Sequence, residues 1–151
     1  MNVSDEQSVS KAMDAVVSRW GRVDCFVTAA GACAPRLYML IPLTFCAMNL
    51  GIVDNIPALE YPVDRIRRLY DTNVHGSYFC AREAAKRMIN TKTNDSVILM
   101  ASMSGRIVNV PQPQTPYNAS KASKSTSSHW SGKARKTSAE VRHMAASKAV
   151  E

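Results

Sequence analysis

The stretch from Ser96 to Lys121, SVILMASMSGRIVNVPQPQTPYNASK, constrains this chain more than any other. Val97-Ile98-Leu99-Met100 has the length and composition of a strand buried in a parallel sheet. Small polar residues follow, from Ala101 to Gly105, and they suit a tight turn that leaves a hydroxyl at the strand's C-terminal edge. In open α/β sheets that edge is where ligands bind. Ile107 to Val110 reads as a second extended piece running into the loop Pro111-Gln112-Pro113-Gln114. Thr115 and Pro116 are then placed to start a helix carrying Tyr117 and Lys121. Four positions apart, the phenol and the ammonium share one helix face.

A strand-end hydroxyl, a tyrosine and a lysine one helical turn later suit proton transfer at a carbonyl. A phenol titrates near 10. To work as an acid or base at neutral pH it must fall by roughly two to three units, about 3–4 kcal/mol of extra phenolate stabilisation. A nearby ammonium supplies part of that, and a serine hydroxyl can hold the reacting oxygen beside the phenol.

Residues 3–31 and 51–122 resemble the short-chain dehydrogenase/reductase family. ASMSGRIVNVPQPQTPYNASKA is similar in particular to its fungal polyol dehydrogenase and ketose reductase branch. The resemblance implies that Ser102, three residues before Gly105, is the catalytic serine, with Ser104 the second choice. It implies that Tyr117 is the general acid/base, and that Lys121 lowers its pKa and holds the nicotinamide ribose. Asn73, in YDTNVHG, matches the helix asparagine that completes the family's proton relay. Ala30, Gly31, Asn73, Tyr117 and Lys121 are the implied cofactor contacts, and NADP is favoured over NAD.

The chain departs from the family in several places. The first strand and its glycine-rich turn, T-G-x-x-x-G-x-G, are expected upstream of residue 1, and they hold the cofactor's pyrophosphate. None of the six glycines here forms such a cluster. Asn2 stands where the family usually has an aspartate against the adenine. Ala29-Ala30-Gly31 replaces N-A-G, losing the asparagine that ties neighbouring strands. Gly31 and Asn73 are 42 positions apart (73 − 31), a longer separation than the family's. The excess matches the unrelated segment 32–50, which reads as a retained intron translated in frame and is expected to form a loop or hydrophobic flap. Its rival is a membrane insertion, because Leu37 to Val53 holds 17 uncharged residues. That run is short for a span, is broken by Pro42 and lacks anchors at both ends. After Ala122 the pattern is lost again, as in a frameshift or mis-spliced exon.

A chain of 151 residues, 46% hydrophobic and 21% charged, has the composition of a globular domain. Its net charge of +7 is uneven: residues 1–120 hold 12 basic and 10 acidic side chains, and residues 121–151 hold 7 and 2. The excess therefore sits in a basic tail, 123–151, expected to be poorly ordered. That tail lacks the stacking aromatics of a nucleic-acid binder beyond Trp130. Cys25, Cys33, Cys46 and Cys80 show neither metal-ligand nor disulfide spacing, so no metal is expected and free, mostly buried thiols are. No signal pattern opens the chain, which makes a cytoplasmic location the default.

Ser4-Asp5-Glu6-Gln7 reads as a capping box with Ser4 as N-cap, opening a helix with Val9, Met13, Val16, Val17 and Trp20 inward and Gly21 as its stop. Val23–Val27 and Val97–Ala101 read as strands, with a third near residue 3 or 107. Asp64 to Asn90 reads as one long helix after Pro62. Gly76 permits close packing there, and His75 lies on the surface. The fold class is thus α/β, a partial doubly wound parallel sheet of the Rossmann type with helices on both faces. Residues 1–122 form an incomplete family domain, interrupted at about 32–50.

By resemblance the chain moves hydride between NAD(P)H and a ketose, polyol or other small carbonyl, with no nucleic-acid or membrane partner, in a family that is usually homo-oligomeric. The alternative is an inactive truncated fragment, an interaction partner or gene-model artefact.

Overall fold

The computed structural model describes residues 1–29, 45–49, 51–91, 96–126 and 140–142. Helix α1 spans Glu6–Trp20. Its N-cap is Asp5 rather than Ser4: the Asp5 carboxylate accepts from Gln7 N at 3.0 Å. A carboxylate at this end also meets the positive pole of the helix, an advantage a serine lacks. Ser4 instead belongs to the preceding turn, donating its N–H to Asn2 Oδ1. Gly21 ends the helix as expected, at φ +78°, with its N–H on Val17 O at 2.7 Å.

Four strands form one parallel sheet: β1 (Cys25–Ala29), β2 (Phe45–Asn49), β3 (Ser96–Leu99) and β4 (Glu140–Arg142), in the order β2-β1-β3-β4. Cys25 pairs with Ser96 and Thr28 with Leu99, while Cys25 pairs with Phe45 on the other side. Compared with the sequence reading, β1 runs two residues later and β3 begins and ends earlier. Val23 precedes the strand yet is buried. No strand forms at residue 3 or 107. Val3 packs on Gly76, where an added Cβ would lie 3.0 Å from its side chain. Ile107 donates its N–H to Met103 O in a turn.

Two strands arise from segments that lack the family pattern. Phe45–Asn49 lies in the stretch expected to be a loop or flap, and it pairs along β1 instead. An uncharged run beside an open strand edge satisfies backbone N–H and C=O groups that would otherwise be left bare. Glu140–Arg142 likewise pairs with β3 from within the tail. The expectations for the rest of 32–50 and of 123–151 fall mostly outside the described residues, as do Cys33 and the side chain of Cys46. Among the described residues neither Cys25 nor Cys80 is in a disulfide. Among the described residues no helix is long and apolar enough to cross a membrane.

The expected long helix is present with a defect. Helix α2 (Val63–Tyr70) passes through a π-turn at Asp71–His75 into α3 (Gly76–Thr91). Leu69, Asn73, Ser77, Cys80, Ala81, Ala84 and Met88 are buried along one side, whereas Tyr78 is exposed. Val9 and Met13 of α1, Phe26 of β1 and Val97 and Leu99 of β3 close the core against α3. At the α1–α3 seam Glu83 is buried and bonded to Lys86 and Arg87, and Arg87 reaches Asp14 and Ser10. Burial pushes Glu83 up, but those cationic bonds outweigh it and hold its carboxyl below the usual range.

Candidate active site at the C-terminal edge of the sheet

Strand β3 delivers Ser102. After the buried Ala101, Ser102 is extended, and its Oγ accepts from Ser104 N at 3.3 Å, capping the single helical turn Met103–Gly105. As an acceptor there it keeps its own O–H to donate. Ser104 is buried and its hydroxyl accepts from Asn109 Nδ2 at 3.0 Å, so it organises the loop. Ser102 is left partly exposed.

Gly105 sets where this turn sits. A Cβ built on it would lie 2.8 Å from both Ala122 N and Lys121 C, inside van der Waals contact with backbone. Only a residue without a side chain lets the turn rest on helix α4 (Thr115–Thr126) at this point.

On α4 Tyr117 is half-buried. Lys121 lies on the same face, as the spacing requires, with Nζ 5.5 Å from the Tyr117 ring centroid. Lys121 is 0% exposed, and its Nζ has no hydrogen-bond acceptor among the described residues. Burial pushes the amine down to about 8. An unpaired buried amine is costly unless something brings it acceptors. No hydrogen bond joins Ser102 to Tyr117 among the described residues.

Asn73 is buried in the π-turn, and its amide is fully engaged. Oδ1 accepts from Ile52 N at 2.9 Å; Nδ2 donates to Ile52 O and to Ser120 Oγ, each at 3.0 Å. Ser120 in turn donates to Tyr117 O at 2.7 Å. The amide thus pins the segment around Ile52 to the helix that carries Tyr117, one residue before Lys121. Two further ties hold that segment: Ile56 N to Pro113 O at 3.2 Å, and Gln114 Nε2 to Asn55 Oδ1 at 2.7 Å. Ala30 and Gly31 lie outside the described residues.

Sequence reasoning missed Ser120, Gln114, Thr28 and Lys124. Thr28 Oγ1 accepts from Met100 N at 3.0 Å and sits 3.5 Å from Ile98 O, tying β1 to β3. Lys124 is 2% exposed. Its position three residues after Lys121, on a helix face that should be apolar, was the available signal. His75 is a surface residue bonded to Asp71 at 3.0 Å. No group of three metal-ligating side chains occurs among the described residues.

Residues 1–146 match the family described as short chain dehydrogenase. The chain is 34% identical over 134 residues to the sorbose reductase of Candida albicans, covering 85% of this chain and 41% of that one. It is 31% identical over 122 residues to the NADP-dependent mannitol dehydrogenase of Hypocrea jecorina, covering 81% and 38%. It is 40% identical over 95 residues to a D-arabinitol 2-dehydrogenase (ribulose-forming) of Candida albicans, covering 54% and 34%. The chain therefore spans only about two fifths or less of these curated relatives. Among solved structures it resembles a short-chain type dehydrogenase/reductase from Mycobacterium marinum (TM-score 0.75, 25% identity, 94% of this chain and 48% of that one). It also resembles the NADPH-dependent 3-quinuclidinone reductase of Rhodotorula rubra (TM-score 0.66, 28% identity, 94% and 45%).

Proposed function

The chain belongs to the short-chain dehydrogenase family, and from that premise we propose that it is an NAD(P)-dependent oxidoreductase acting on a small polyol or ketose. The observation that carries this reading is the buried, unpartnered Nζ of Lys121 beside the Tyr117 ring, on the helix against which Gly105 docks the Ser102 turn.

The orphaned amine fits a nicotinamide nucleotide, whose ribose hydroxyls would give Nζ the acceptors it lacks. When bound, the nucleotide supplies or accepts the hydride. The remaining chemistry falls to the chain. The Ser102 hydroxyl holds the substrate oxygen. In the reducing direction the Tyr117 O–H donates the proton to that oxygen, and in the oxidising direction the phenolate takes it back. Lys121 lies beside that phenol, with Nζ 5.5 Å from the Tyr117 ring centroid. Asn73 acts here as the clamp on the start of α4, since both its amide protons are engaged.

NADP in preference to NAD is part of the proposal, supported by relatives named as NADP-dependent. So are a cytoplasmic location and a homo-oligomeric assembly, the latter carried by the family resemblance.

The test is a fluorescence titration of the 151-residue chain with NADPH and, separately, NADH, followed by a panel of ketoses. Saturable binding of NADPH, with turnover abolished in Tyr117→Phe, is the expected result. Lack of binding by either nucleotide overturns the proposal.

A further inference from the structure

Gln114 stands directly before helix α4, and its carbonyl accepts a helical bond from Asn118 N at 2.9 Å. It is three residues ahead of Tyr117 and seven ahead of Lys121, so the three positions follow one face of the helix. On such a face, positions three apart have Cβ atoms about 5–6 Å from each other. Gln114 thus opens the face that carries Tyr117 and Lys121.

Its amide is held in place and only half used. Gln114 is 9% exposed, and Nε2 donates to Asn55 Oδ1 at 2.7 Å. The segment that holds Asn55 is itself tied down. Ile56 N donates to Pro113 O at 3.2 Å, and Ile52 exchanges two bonds with the Asn73 amide. Oε1 accepts nothing among the described residues, yet it is not sealed off without a partner as Lys121 Nζ is. Buried amides ordinarily fill their acceptor sites. A rigidly held amide with a reachable, unfilled acceptor is suited to receive a donor from a ligand.

The neighbouring groups leave that task to Gln114. Ser102, Tyr117 and Lys121 present donors, which the reading above assigns to the reacting oxygen and the nucleotide. Ser104, Ser120 and the Asn73 amide are engaged in holding the loop and the helix. A ketose carries a hydroxyl on the carbon next to its carbonyl, and once buried that hydroxyl needs an acceptor. An amide oxygen meets the need, and it gives a carboxylate or phosphate no hydrogen bond in the same place.

We propose that Gln114 is a specificity-determining residue: its Oε1 accepts a hydrogen bond from the hydroxyl next to the reacting carbonyl, so the site takes α-hydroxy ketones ahead of plain ketones. Asn55 is a positioning residue that fixes the amide from the other side. The inference rests on the oxidoreductase reading above and narrows its substrate class.

The experiment compares kcat/KM with NADPH for erythrulose and for butan-2-one, the same carbon skeleton without hydroxyls, using the full chain. Wild type should prefer erythrulose by roughly tenfold or more. Gln114→Met, of similar volume, should cut that preference about tenfold, because erythrulose loses a bond that butan-2-one never made. Gln114→Glu keeps an acceptor oxygen and should keep the preference. Asn55→Ala loosens the amide and should cut the preference by about threefold. It changes an exposed residue, so it carries the test if Gln114→Met does not fold. An unchanged preference in both Gln114→Met and Asn55→Ala overturns the proposal. So does an equal fall for the two ketones, the mark of a structural role. A chain that binds neither nucleotide refutes the oxidoreductase reading and this inference with it. A chain that binds NADPH yet shows no preference for erythrulose refutes this inference alone.

Discussion

Replacing Gly105 by alanine tests whether the Ser102 turn must touch helix α4. The new Cβ would lie 2.8 Å from Ala122 N and from Lys121 C, and 3.0 Å from Lys121 O. Ordinary contact begins near 3.4 Å, so the turn must retreat by about 0.6 Å from atoms that are helix backbone and cannot rotate away. Overpacking of this kind costs about 1–3 kcal/mol, a factor of roughly five to 150 in the folded-to-unfolded ratio. Catalysis should suffer separately, because the retreat moves Ser102 relative to Tyr117. A misplacement of about 1 Å costs on the order of 100-fold, so about tenfold in kcat is expected here. Gly21→Ala is the matched control. Gly21 sits at φ +78° with nothing within 4 Å of an added Cβ, so alanine there costs about 1 kcal/mol through backbone strain alone. Urea unfolding followed by circular dichroism gives the two stabilities, and steady-state turnover gives the rates. If Gly105→Ala keeps the wild-type midpoint, the close approach is wrong. If it loses stability yet keeps full kcat, the turn does not position Ser102.

Asn73→Leu preserves volume but strands the N–H and C=O of Ile52. It should cost about 2–4 kcal/mol in urea unfolding and should raise hydrogen exchange at Ile52 and Ile56 without a change in α1. Lys124→Met should stabilise the chain most at neutral pH and below. The sign follows from proton binding. Between about 7 and 10.5 the unfolded chain holds the Lys124 proton that the folded chain has lost, so wild-type stability rises with pH by about 1.4 kcal/mol per unit for that group. Below about 7 both states are protonated and the whole penalty is present. A wild-type stability curve that is flat from pH 7 to 9, matching that of the variant, would refute the burial of the ammonium. Glu83→Gln removes the shared partner of Lys86 and Arg87 and should cost about 3 kcal/mol. Its carboxyl is held below the usual range, so the loss should shrink as pH falls through that group's titration.

How much could be read in advance varied with how local the causes were. The Tyr117–Lys121 relation needs only helical spacing, and the structure keeps it. The Gly21 stop is a one-residue matter of backbone sterics, and it too was legible. Ser4 was misjudged as N-cap because two capping residues stand side by side, and the start of the first turn decides between them. The break between α2 and α3 left no mark in the apolar pattern: a π-turn adds one residue to a turn without ending the helix. Asn73 stood out as an unusual residue for mid-helix. Its partners, Ile52 and Ser120, are 21 and 47 residues away, beyond any local pattern.

The sequence by itself determined the apolar run of β3, the spacing of Ser102, Gly105, Tyr117 and Lys121, and the amphipathic faces of α1 and α3, because strand burial, helical periodicity and capping act over a few residues. Only the tertiary structure decided that Phe45–Asn49 would pair along β1, that Gly105 would press on Lys121, and that Lys124 would be buried beside it. Those outcomes depend on which surfaces meet. An open strand edge accepts whatever extended segment can reach it, and a lysine's state is set by what surrounds its amine.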